Sequence, residues 1–429
     1  MGDYEITKVW ARQVLDSRGN PTVEVEIHTR DVFATGIAPS GASTGTFEAL
    51  ELRDGGDSFM GKSVEQAVQN VRGRISDLLV GMDVTDQEDL DRAMIECDGT
   101  PTKSELGGNA LTATSMACAH AGAKVKGVEL HEHLGPGSRV LPVPMLNIIN
   151  GGKHAGSDLK IQEFMIVPSG ASTFSQALRM GAEVYHNLKS ILKDKYGKGA
   201  VNVGDEGGFA PPLGTAPEAL ETIMSAVEAA GYLPGKDVSL ALDAAASEFF
   251  SQGKYTVDGK VLGPEEIVDY YEGLVDTFPL VSLEDPVDEE AFDTMSKMTE
   301  RMGDKVQLVG DDIFVTNPER VRKGISVGAG NALLLKVNQI GTITEAFEAA
   351  NIAFEAGYNV VVSHRSGETE DTTLADIVVA LQSGQVKTGA PARAERTSKY
   401  NRLLRIEEAL GSRAIYPGEK AFIKRPYRP

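Results

Sequence analysis

Three carboxylates follow three successive apolar runs in the second half of the chain, and their placement indicates a site for a hard cation. Asp243 follows Val238–Leu242, and Glu284 comes 41 residues later at the end of a similar run; Asp311 follows 27 residues after that. If these runs are neighbouring strands about 5 Å apart, the carboxylates would repel one another unless a cation lay between them. A few oxygen ligands with open positions suit Mg²⁺. Any one of these residues alone could be a solvated loop charge or a helix N-cap, so the repetition is what favours the metal.

Two lysines end later runs of the same kind. Lys336 follows Ala-Leu-Leu-Leu, and Lys387 follows Gln-Val. Because lysine is rarely buried without a partner, an ion pair with one of the carboxylates is expected. Burial, a nearby cation and a second lysine would also depress a lysine pKa, which would make the side chain a usable base near neutral pH. Both interpretations can hold together.

Another run ends in a group suited to binding an anion. His364, Arg365 and Ser366 are consecutive, and they combine a guanidinium fork with a hydroxyl. That combination fits bidentate capture of phosphate or carboxylate. A histidine such as His364, taken alone, is more often structural. Glu163 adds a carboxylate beside a further apolar run.

Three Gly-rich loops carry the remaining candidates. The loop at 150–156 contains His154, and the loop at 204–212 contains Glu206; a third loop spans 39–45. Most such loops are only turns. An ionisable residue in the middle of two of them favours lids that exclude water when they close.

The strands and helices that must position these residues are predicted to form a barrel preceded by a smaller α+β unit. Continuous apolar runs separated by amphipathic helices predict a parallel sheet covered on both faces. Eight runs in about 285 residues match a (β/α)₈ barrel, although about 70 residues between 168 and 238 break the simple alternation after the second run. An open doubly wound sheet is the alternative, and the absence of a Gly-rich dinucleotide fingerprint disfavours it. The runs are 145–149, 164–167, 238–242, 280–283, 306–309, 332–335, 360–362 and 385–386.

The first part of the chain has a different pattern. Strand-like alternation at 23–28 is followed by helical spacing over 63–80, 86–96 and 109–127. Strands followed by helices predict an α+β domain. The Pro- and Gly-rich segment 135–144 is the best linker, which gives an N-terminal domain at 1–138 and a barrel domain at 139–429.

Composition limits the partners and the compartment. The chain has 429 residues and a net charge of −20, which disfavours nucleic acid or an anionic membrane as the main partner. Only Cys97 and Cys118 are present, which fits two buried side chains in a reducing cytosol. Neither a signal peptide nor a membrane-spanning run is visible, so we expect a cytoplasmic protein.

Several motifs together resemble the enolase family over essentially the whole chain. They are Asp16-Ser-Arg-Gly-Asn-Pro-Thr-Val-Glu-Val, Pro39-Ser-Gly-Ala-Ser-Thr-Gly, Gly-Gly-Lys-His154-Ala-Gly, Gln162-Glu-Phe-Met, Gly-Asp-Glu206-Gly-Gly-Phe-Ala-Pro, Leu-Leu-Leu-Lys336-Val-Asn-Gln, Ser363-His-Arg-Ser-Gly-Glu-Thr-Glu-Asp and Lys387-Thr-Gly-Ala-Pro-Ala-Arg. The resemblance implies an α+β domain followed by a barrel that begins ββαα. It further implies reversible, Mg²⁺-dependent dehydration of 2-phospho-D-glycerate to phosphoenolpyruvate in glycolysis and gluconeogenesis.

The resemblance also assigns roles residue by residue. It makes Lys336 the base at C2 and Glu206 the acid at C3, with Glu163, Lys387 and His154 also catalytic. It makes Asp243, Glu284 and Asp311 ligands of Mg²⁺, with Ser43 holding a second Mg²⁺ in the closed state. The implied substrate contacts are His154, Glu163, Lys336, His364, Arg365, Ser366 and Lys387.

The resemblance also implies an oligomeric assembly, and two alternative functions remain beside the one it implies. Glu24 and Arg405 match positions that pair across the family's dimer interface, so we expect a homodimer or an assembly of dimers. The tail at 424–429 and Lys153 depart from the pattern without touching a catalytic position. The alternatives are a superfamily barrel acting on another carboxylate, or a non-catalytic structural or surface-binding role. The complete set of catalytic residue types disfavours a role without catalysis.

Overall fold

Alternation of apolar and polar residues near the start of the chain forms an antiparallel sheet in the computed structural model, which describes residues 4–41, 47–152 and 159–422. Its strands are β1 (Lys8–Leu15), β2 (Pro21–His28) and β3 (Phe33–Ile37). Val23, Val25 and Ile27 are fully buried, so one face of the sheet packs on the helices that follow. These helices are α1 (Glu65–Asn70), α2 (Ser76–Leu79), α3 (Gln87–Asp98), α4 (Gly108–Lys126) and α5 (Leu130–Leu134).

The helical spacing predicted for 63–80 changes phase within that segment. The apolar residues at helical spacing in this segment include Val68, Val71, Ile75 and Leu78. The first three are buried, but after Ile75 the fully buried residue is Leu79, and Leu78 is only partly buried. A π-helical turn over Val71–Ile75 separates α1 from α2. Such a turn adds a residue to the helical repeat, which rotates the following apolar residue onto the core face.

Helix α4 lies directly against β3 at Gly36. A β-carbon at this position would lie 2.5 Å from the backbone nitrogen of Ala117 and 2.6 Å from the carbonyl oxygen of Ala113. Real β-carbons do not approach backbone atoms so closely, so any larger residue must push the helix away from the sheet.

Gly36→Ala is therefore expected to destabilise the protein by roughly 1–3 kcal/mol, the usual cost of overpacking. The measurement is the midpoint of urea unfolding. Gly73→Ala is the matched control, because a β-carbon at Gly73 meets nothing within 4 Å and alanine favours helix. Equal midpoints for wild-type protein and Gly36→Ala would contradict the close packing of α4 on β3.

Within the described residues, eight strands close into a barrel. They are β4 (Val143–Asn150), β5 (Glu163–Val167), β6 (Ser239–Asp243), β10 (Leu280–Glu284), β11 (Gln307–Gly310), β12 (Ala332–Leu335), β13 (Asn359–Ser363) and β14 (Gln385–Lys387). Each of the eight predicted runs falls on one of them. A small separate sheet is formed by β7 (Phe250–Ser251), β8 (Lys254–Val257) and β9 (Lys260–Leu262).

The barrel begins with two strands and two helices before regular alternation sets in. The helices of this part are α6 (Phe174–Tyr196), α7 (Ala216–Ala229), α8 (Pro264–Thr277), α9 (Phe292–Met302), α10 (Pro318–Val327), α11 (Val337–Ile340), α12 (Ile343–Glu355), α13 (Thr373–Ala380) and α14 (Ala394–Leu410). With α6 and α7 both between β5 and β6, the order is ββαα, as the resemblance implies. None of the helices in the described ranges is long and apolar enough to cross a membrane.

The prediction of a wholly parallel sheet is wrong for β5, which is antiparallel to β4 and to β6. A short connection between β4 and β5 reverses the chain, since a parallel neighbour would need a longer crossover. The reversal brings the first residue of β5, Glu163, opposite Asp243, the last residue of β6. Asp243 in turn pairs with Glu284 at the end of β10. One end of the barrel therefore collects these carboxylates.

The N-terminal unit reaches the same end of the barrel. Ser40 and Gly367 exchange two backbone hydrogen bonds, of 2.8 and 2.9 Å, between the loop after β3 and the loop after β13. On another side, Asp91 of α3 accepts bonds from the backbone N–H and the hydroxyl of Thr344 at the start of α12. The two parts thus pack through polar contacts that fix one loop of the N-terminal unit beside the barrel mouth.

Candidate active site

A cavity opens at this end of the barrel, and its walls carry most of the candidates from the sequence. Those in the wall are Glu163, Glu206, Asp243, Asp311, Lys336, His364, Arg365, Ser366 and Lys387. Glu284 lies within hydrogen-bond distance of Lys387. Ser43 and His154 fall outside the described residues. Every candidate that the structure describes is therefore part of one cluster.

Lys387 lies at the centre of three buried carboxylates. Its Nζ atom donates to Asp243 Oδ2 at 2.7 Å and to Glu284 Oε1 at 2.8 Å, and it lies 3.4 Å from Glu163 Oε1. Burial lowers the pKa of Lys387, but the three carboxylates outweigh it, so the pKa lies well above its usual range. The ion-pair interpretation is confirmed for Lys387, and a depressed pKa is wrong for the protein without a bound cation.

The carboxylates around Lys387 have more oxygens than the protein satisfies. Glu163 Oε2 and Glu284 Oε2 are buried, and neither has a hydrogen-bond partner within the ranges that the structure describes. Burial raises the pKa of Glu284 well above its usual range, and the nearby Asp243 raises it further. Unsatisfied buried carboxylate oxygens are costly, and a hard cation is the ligand they suit. The donor set therefore fits a divalent cation such as Mg²⁺.

Lys336 forms a separate ion pair with Asp311. The other Asp311 oxygen, Oδ1, accepts from Gln339 Nε2 at 2.9 Å. Removal from bulk water lowers the pKa of Lys336, but the nearby carboxylates, above all Asp311, together raise it more, so the net shift is upward. For the protein without a bound cation, the prediction of a depressed lysine pKa is therefore wrong here as well, because the nearby carboxylates together outweigh desolvation.

Two further aspartates, which sequence reasoning missed, lie beside Asp311. Asp285 accepts from the backbone N–H groups of Asp311 and Asp312 at 2.9 and 2.7 Å. Carboxylate oxygens of these three residues all lie within 4.8 Å of one another, close enough to share a metal ion. Burial and the charge of Asp311 raise the pKa of Asp312 to about 7. In the sequence, Asp285 directly follows Glu284 and Asp312 directly follows Asp311, and these acidic pairs could have indicated both residues.

The predicted anion-binding arginine is held by a residue of the N-terminal unit. Arg365 Nη1 and Nη2 donate to the Glu48 carboxylate at 2.9 and 3.3 Å, and both side chains are buried. Burial lowers the pKa of Arg365, but Glu48 raises it more. Sequence reasoning missed Glu48, which lies just beyond the Gly-rich loop at 39–45. It comes close to Arg365 only in the folded protein.

Glu206 is surrounded by polar side chains. Its Oε2 atom accepts from Asn147 Nδ2 at 3.1 Å and lies 3.4 Å from His364 Nε2, while Ser366 Oγ donates to Oε1 at 3.4 Å. Burial lowers the pKa of His364 to about 4, so the imidazole is neutral at physiological pH. Burial, and next the charge of Glu206, raise the pKa of Glu163 well above its usual range. Crowded buried carboxylates of this kind retain a proton that an acid catalyst can deliver.

Gln162 also lines the cavity, immediately before Glu163. Gln162 is part of the Gln-Glu-Phe-Met motif in the sequence. Its residue type alone does not distinguish a residue of the site from an ordinary surface glutamine. Its location beside β5 becomes informative only once that strand is known to run antiparallel.

Comparison with known proteins gives consistent matches over both parts of the chain. The family model described as "Enolase, N-terminal domain" matches residues 6–134, and the model described as "Enolase, C-terminal TIM barrel domain" matches residues 138–425. A relative named enolase from Methanocaldococcus jannaschii is 59% identical over 410 residues, covering 95% of this chain and 96% of the relative. The enolase of Thermococcus kodakarensis is 56% identical over 420 residues, covering 97% and 98%.

Proposed function

The chain belongs to the enolase family and is a hydro-lyase that interconverts 2-phospho-D-glycerate and phosphoenolpyruvate, and we propose how its residues divide the reaction between them. The observation that carries the proposal is the cavity wall itself. Among the described residues, eight carboxylates but only three cationic side chains line it. A wall of this charge repels an anionic substrate unless added cations reverse the charge. A reaction that depends on metal ions and acts on a phosphorylated acid brings such cations to the cavity.

We propose that Lys336 removes the proton from C2 of the substrate. The electron pair of the C2–H bond moves toward the substrate carboxylate, which becomes doubly negative. Lys387 lies among three carboxylates beside the same cavity and is proposed to support this charge. Lys336 must lose its proton before it acts, which requires relief of its ion pair with Asp311.

We propose that Glu206 gives its proton to the C3 hydroxyl. The C3–O bond then breaks, the double bond forms between C2 and C3, and the hydroxyl leaves as water. His364, neutral and 3.4 Å from Glu206 Oε2, and Glu163 hold the acid in a crowded buried setting. His154 is assigned to the same step, although it lies outside the described residues.

Magnesium is proposed as the cofactor, with Asp243, Glu284 and Asp311 as the residues that hold it. Ser43 holds a second ion in the closed state, giving two per site. The unpartnered oxygens of Glu163 and Glu284 support a cation here. Bound magnesium supplies positive charge beside the substrate carboxylate and so stabilises the dianion.

Arg365 and Ser366 are proposed to bind the phosphate group of the substrate. The guanidinium already binds one carboxylate through two hydrogen bonds, so its geometry accepts a planar or tetrahedral oxyanion in the same way. Because Glu48 shares this guanidinium, phosphate binding by Arg365 is coupled to a residue of the N-terminal unit.

The remaining assignments are proposals on the same footing. We place the domain boundary between residues 138 and 139, and we place the protein in the cytoplasm. We propose a homodimer or an assembly of dimers, with Arg405 at the interface. Within one chain, Glu24 pairs with Arg12, so its contact across the interface would be shared with that arginine.

The proposal is tested by adding 2-phospho-D-glycerate and following phosphoenolpyruvate by its ultraviolet absorbance. We expect turnover with Mg²⁺, loss of turnover with excess chelator, and recovery when Mg²⁺ is restored, because the acidic cavity needs cations to accept an anion. A related carboxylate without the phosphate is the control substrate and is expected to react far more slowly. No metal-dependent signal with the phosphorylated substrate would overturn the proposal.

A further inference from the structure

Arg396 is a fully buried arginine behind the cavity wall, and none of the roles above uses it. It lies in the first turn of α14, on the outside of the barrel. Its guanidinium points inward and meets two separate loops that carry catalytic candidates. A buried arginine is costly unless its donors are used, so its acceptors indicate what it is for.

The acceptors are three backbone carbonyls and one ring nitrogen. Arg396 Nη1 donates to the carbonyl of Arg365 at 2.6 Å, and Nη2 donates to the carbonyls of Ser366 at 2.6 Å and Asp205 at 3.1 Å. Nη1 also lies 2.7 Å from His364 Nδ1. One side chain therefore connects the loop that precedes Glu206 to the loop that carries the anion-binding pair.

The contact with His364 determines which imidazole nitrogen carries the proton. A guanidinium has donors and no acceptor, so His364 Nδ1 must be the unprotonated nitrogen. The proton of the neutral ring is then on Nε2, which lies 3.4 Å from Glu206 Oε2. Arg396 thus places an N–H, not a lone pair, on the side of the His364 ring that faces Glu206, and among the described residues this N–H has no hydrogen-bond partner in the structure.

The packing around Arg396 leaves it little freedom to adopt another arrangement. A β-carbon at Gly389 would lie 2.8 Å from the carbonyl oxygen of Glu206 and 3.0 Å from Arg396 Cδ. The backbone after β14 therefore presses on the aliphatic part of the arginine and on the Glu206 loop together. Gly389 has φ +81°, a conformation that favours glycine.

We propose that Arg396 is a positioning residue for the dehydration, which fixes the Nε2–H tautomer of His364 toward Glu206 and holds the 205–206 and 364–366 loops at one spacing. The inference rests on the proposed role of Glu206 as the acid. Arg396 acts through His364 and the loop carbonyls and does not itself touch the substrate.

Nitrogen-15 NMR of histidine-labelled, deuterated wild-type protein tests the tautomer directly. We expect the Nδ1 signal of His364 at the shift of an unprotonated nitrogen and the Nε2 signal at that of a protonated one. The signals are assigned by their absence in His364→Gln. A protonated Nδ1 in the wild-type protein would overturn the inference whether or not any variant folds.

Arg396→Lys tests the consequence for catalysis, because an ammonium keeps the charge but cannot reach all the acceptors of a planar fork. We expect kcat for dehydration to fall about 10- to 100-fold, as for other losses of acid–base geometry. Exchange of the substrate C2 proton with solvent should persist, and the His364 signals should become a tautomer mixture. Arg402→Lys is the matched control, since Arg402 lies in the same helix and binds Asp376 through two hydrogen bonds.

The outcomes separate this inference from the proposed function. A folded Arg396→Lys protein with wild-type kcat and an unchanged His364 spectrum would overturn the positioning role and leave the hydro-lyase assignment standing. Absence of dehydration by the wild-type protein would instead remove the proposed function. A loss of thermal stability in Arg396→Lys with kcat of the folded protein unchanged would show a purely structural role and would also overturn the inference.

Discussion

Lys336→Ala is expected to lower kcat for dehydration by about 10⁴-fold, the upper range for loss of a positioned general base. The C2 proton of the substrate is barely acidic, because the adjacent carboxylate is already negative, so the reaction depends on a base held at this atom. Lys336 directly follows β12 and lies in the cavity wall. The measurements are phosphoenolpyruvate formation and exchange of the C2 proton with deuterated water, and both should be lost together.

Lys336→Arg is the matched variant for the charge of the lysine. Arginine keeps a cation beside Asp311 but is not deprotonated in proteins, so it preserves the ion pair and removes the base. We expect the same loss of exchange with better stability than Lys336→Ala, which leaves Asp311 without its cation. Near-wild-type exchange in either folded variant would remove Lys336 from its proposed role.

The sequence was sufficient to predict the barrel because each strand is a short apolar run buried on both faces. It was not sufficient for the direction of β5, since an apolar run reads the same in both directions. The same limit explains why Glu163 lies at the barrel mouth although it is the first residue of its strand and not the last: the reversed direction of β5 places it opposite Asp243.

Residue types at strand ends identified most of the described site, but contacts made from other elements were missed. Glu48 comes from the N-terminal unit and reaches Arg365 only in the folded protein. Arg396 lies in an outer helix, where charged residues are ordinarily solvated. Its role depends on an inward-pointing side chain, which helical spacing does not reveal when the target is a loop carbonyl.

In the protein without a bound cation, the pKa values of both lysines are shifted upward and not downward as predicted, for a related reason. Strand-end spacing predicts that carboxylates and lysines lie near one another, but it does not give the order of their distances. Lys387 contacts three carboxylates, and Lys336 contacts Asp311, so attraction to these anions exceeds the cost of burial. The described part of the cavity wall is therefore acidic, as is the whole chain with its net charge of −20. Added cations are needed before an anion binds there.

Glu206→Gln is expected to lower kcat for dehydration by about 10²- to 10⁴-fold, because an amide cannot deliver the proton that the C3 hydroxyl needs to leave as water. Exchange of the C2 proton should continue, since Lys336 and its surroundings are unchanged. The variant therefore separates the two halves of the reaction. The glutamine amide has nearly the same shape as the carboxylate and can still hydrogen-bond to Asn147 and Ser366, which contact Glu206 in the wild-type protein.

The control for the change of charge is Glu248→Gln, which removes one negative charge from an exposed residue of the same cavity wall. We expect its exchange and dehydration rates to stay close to wild type, because an exposed charge is screened by water and salt. If Glu206→Gln lost exchange and dehydration equally, Glu206 would act on substrate binding or on C2, and its assignment as the acid would be wrong. If exchange survives while dehydration falls, the base and the acid reside on different residues.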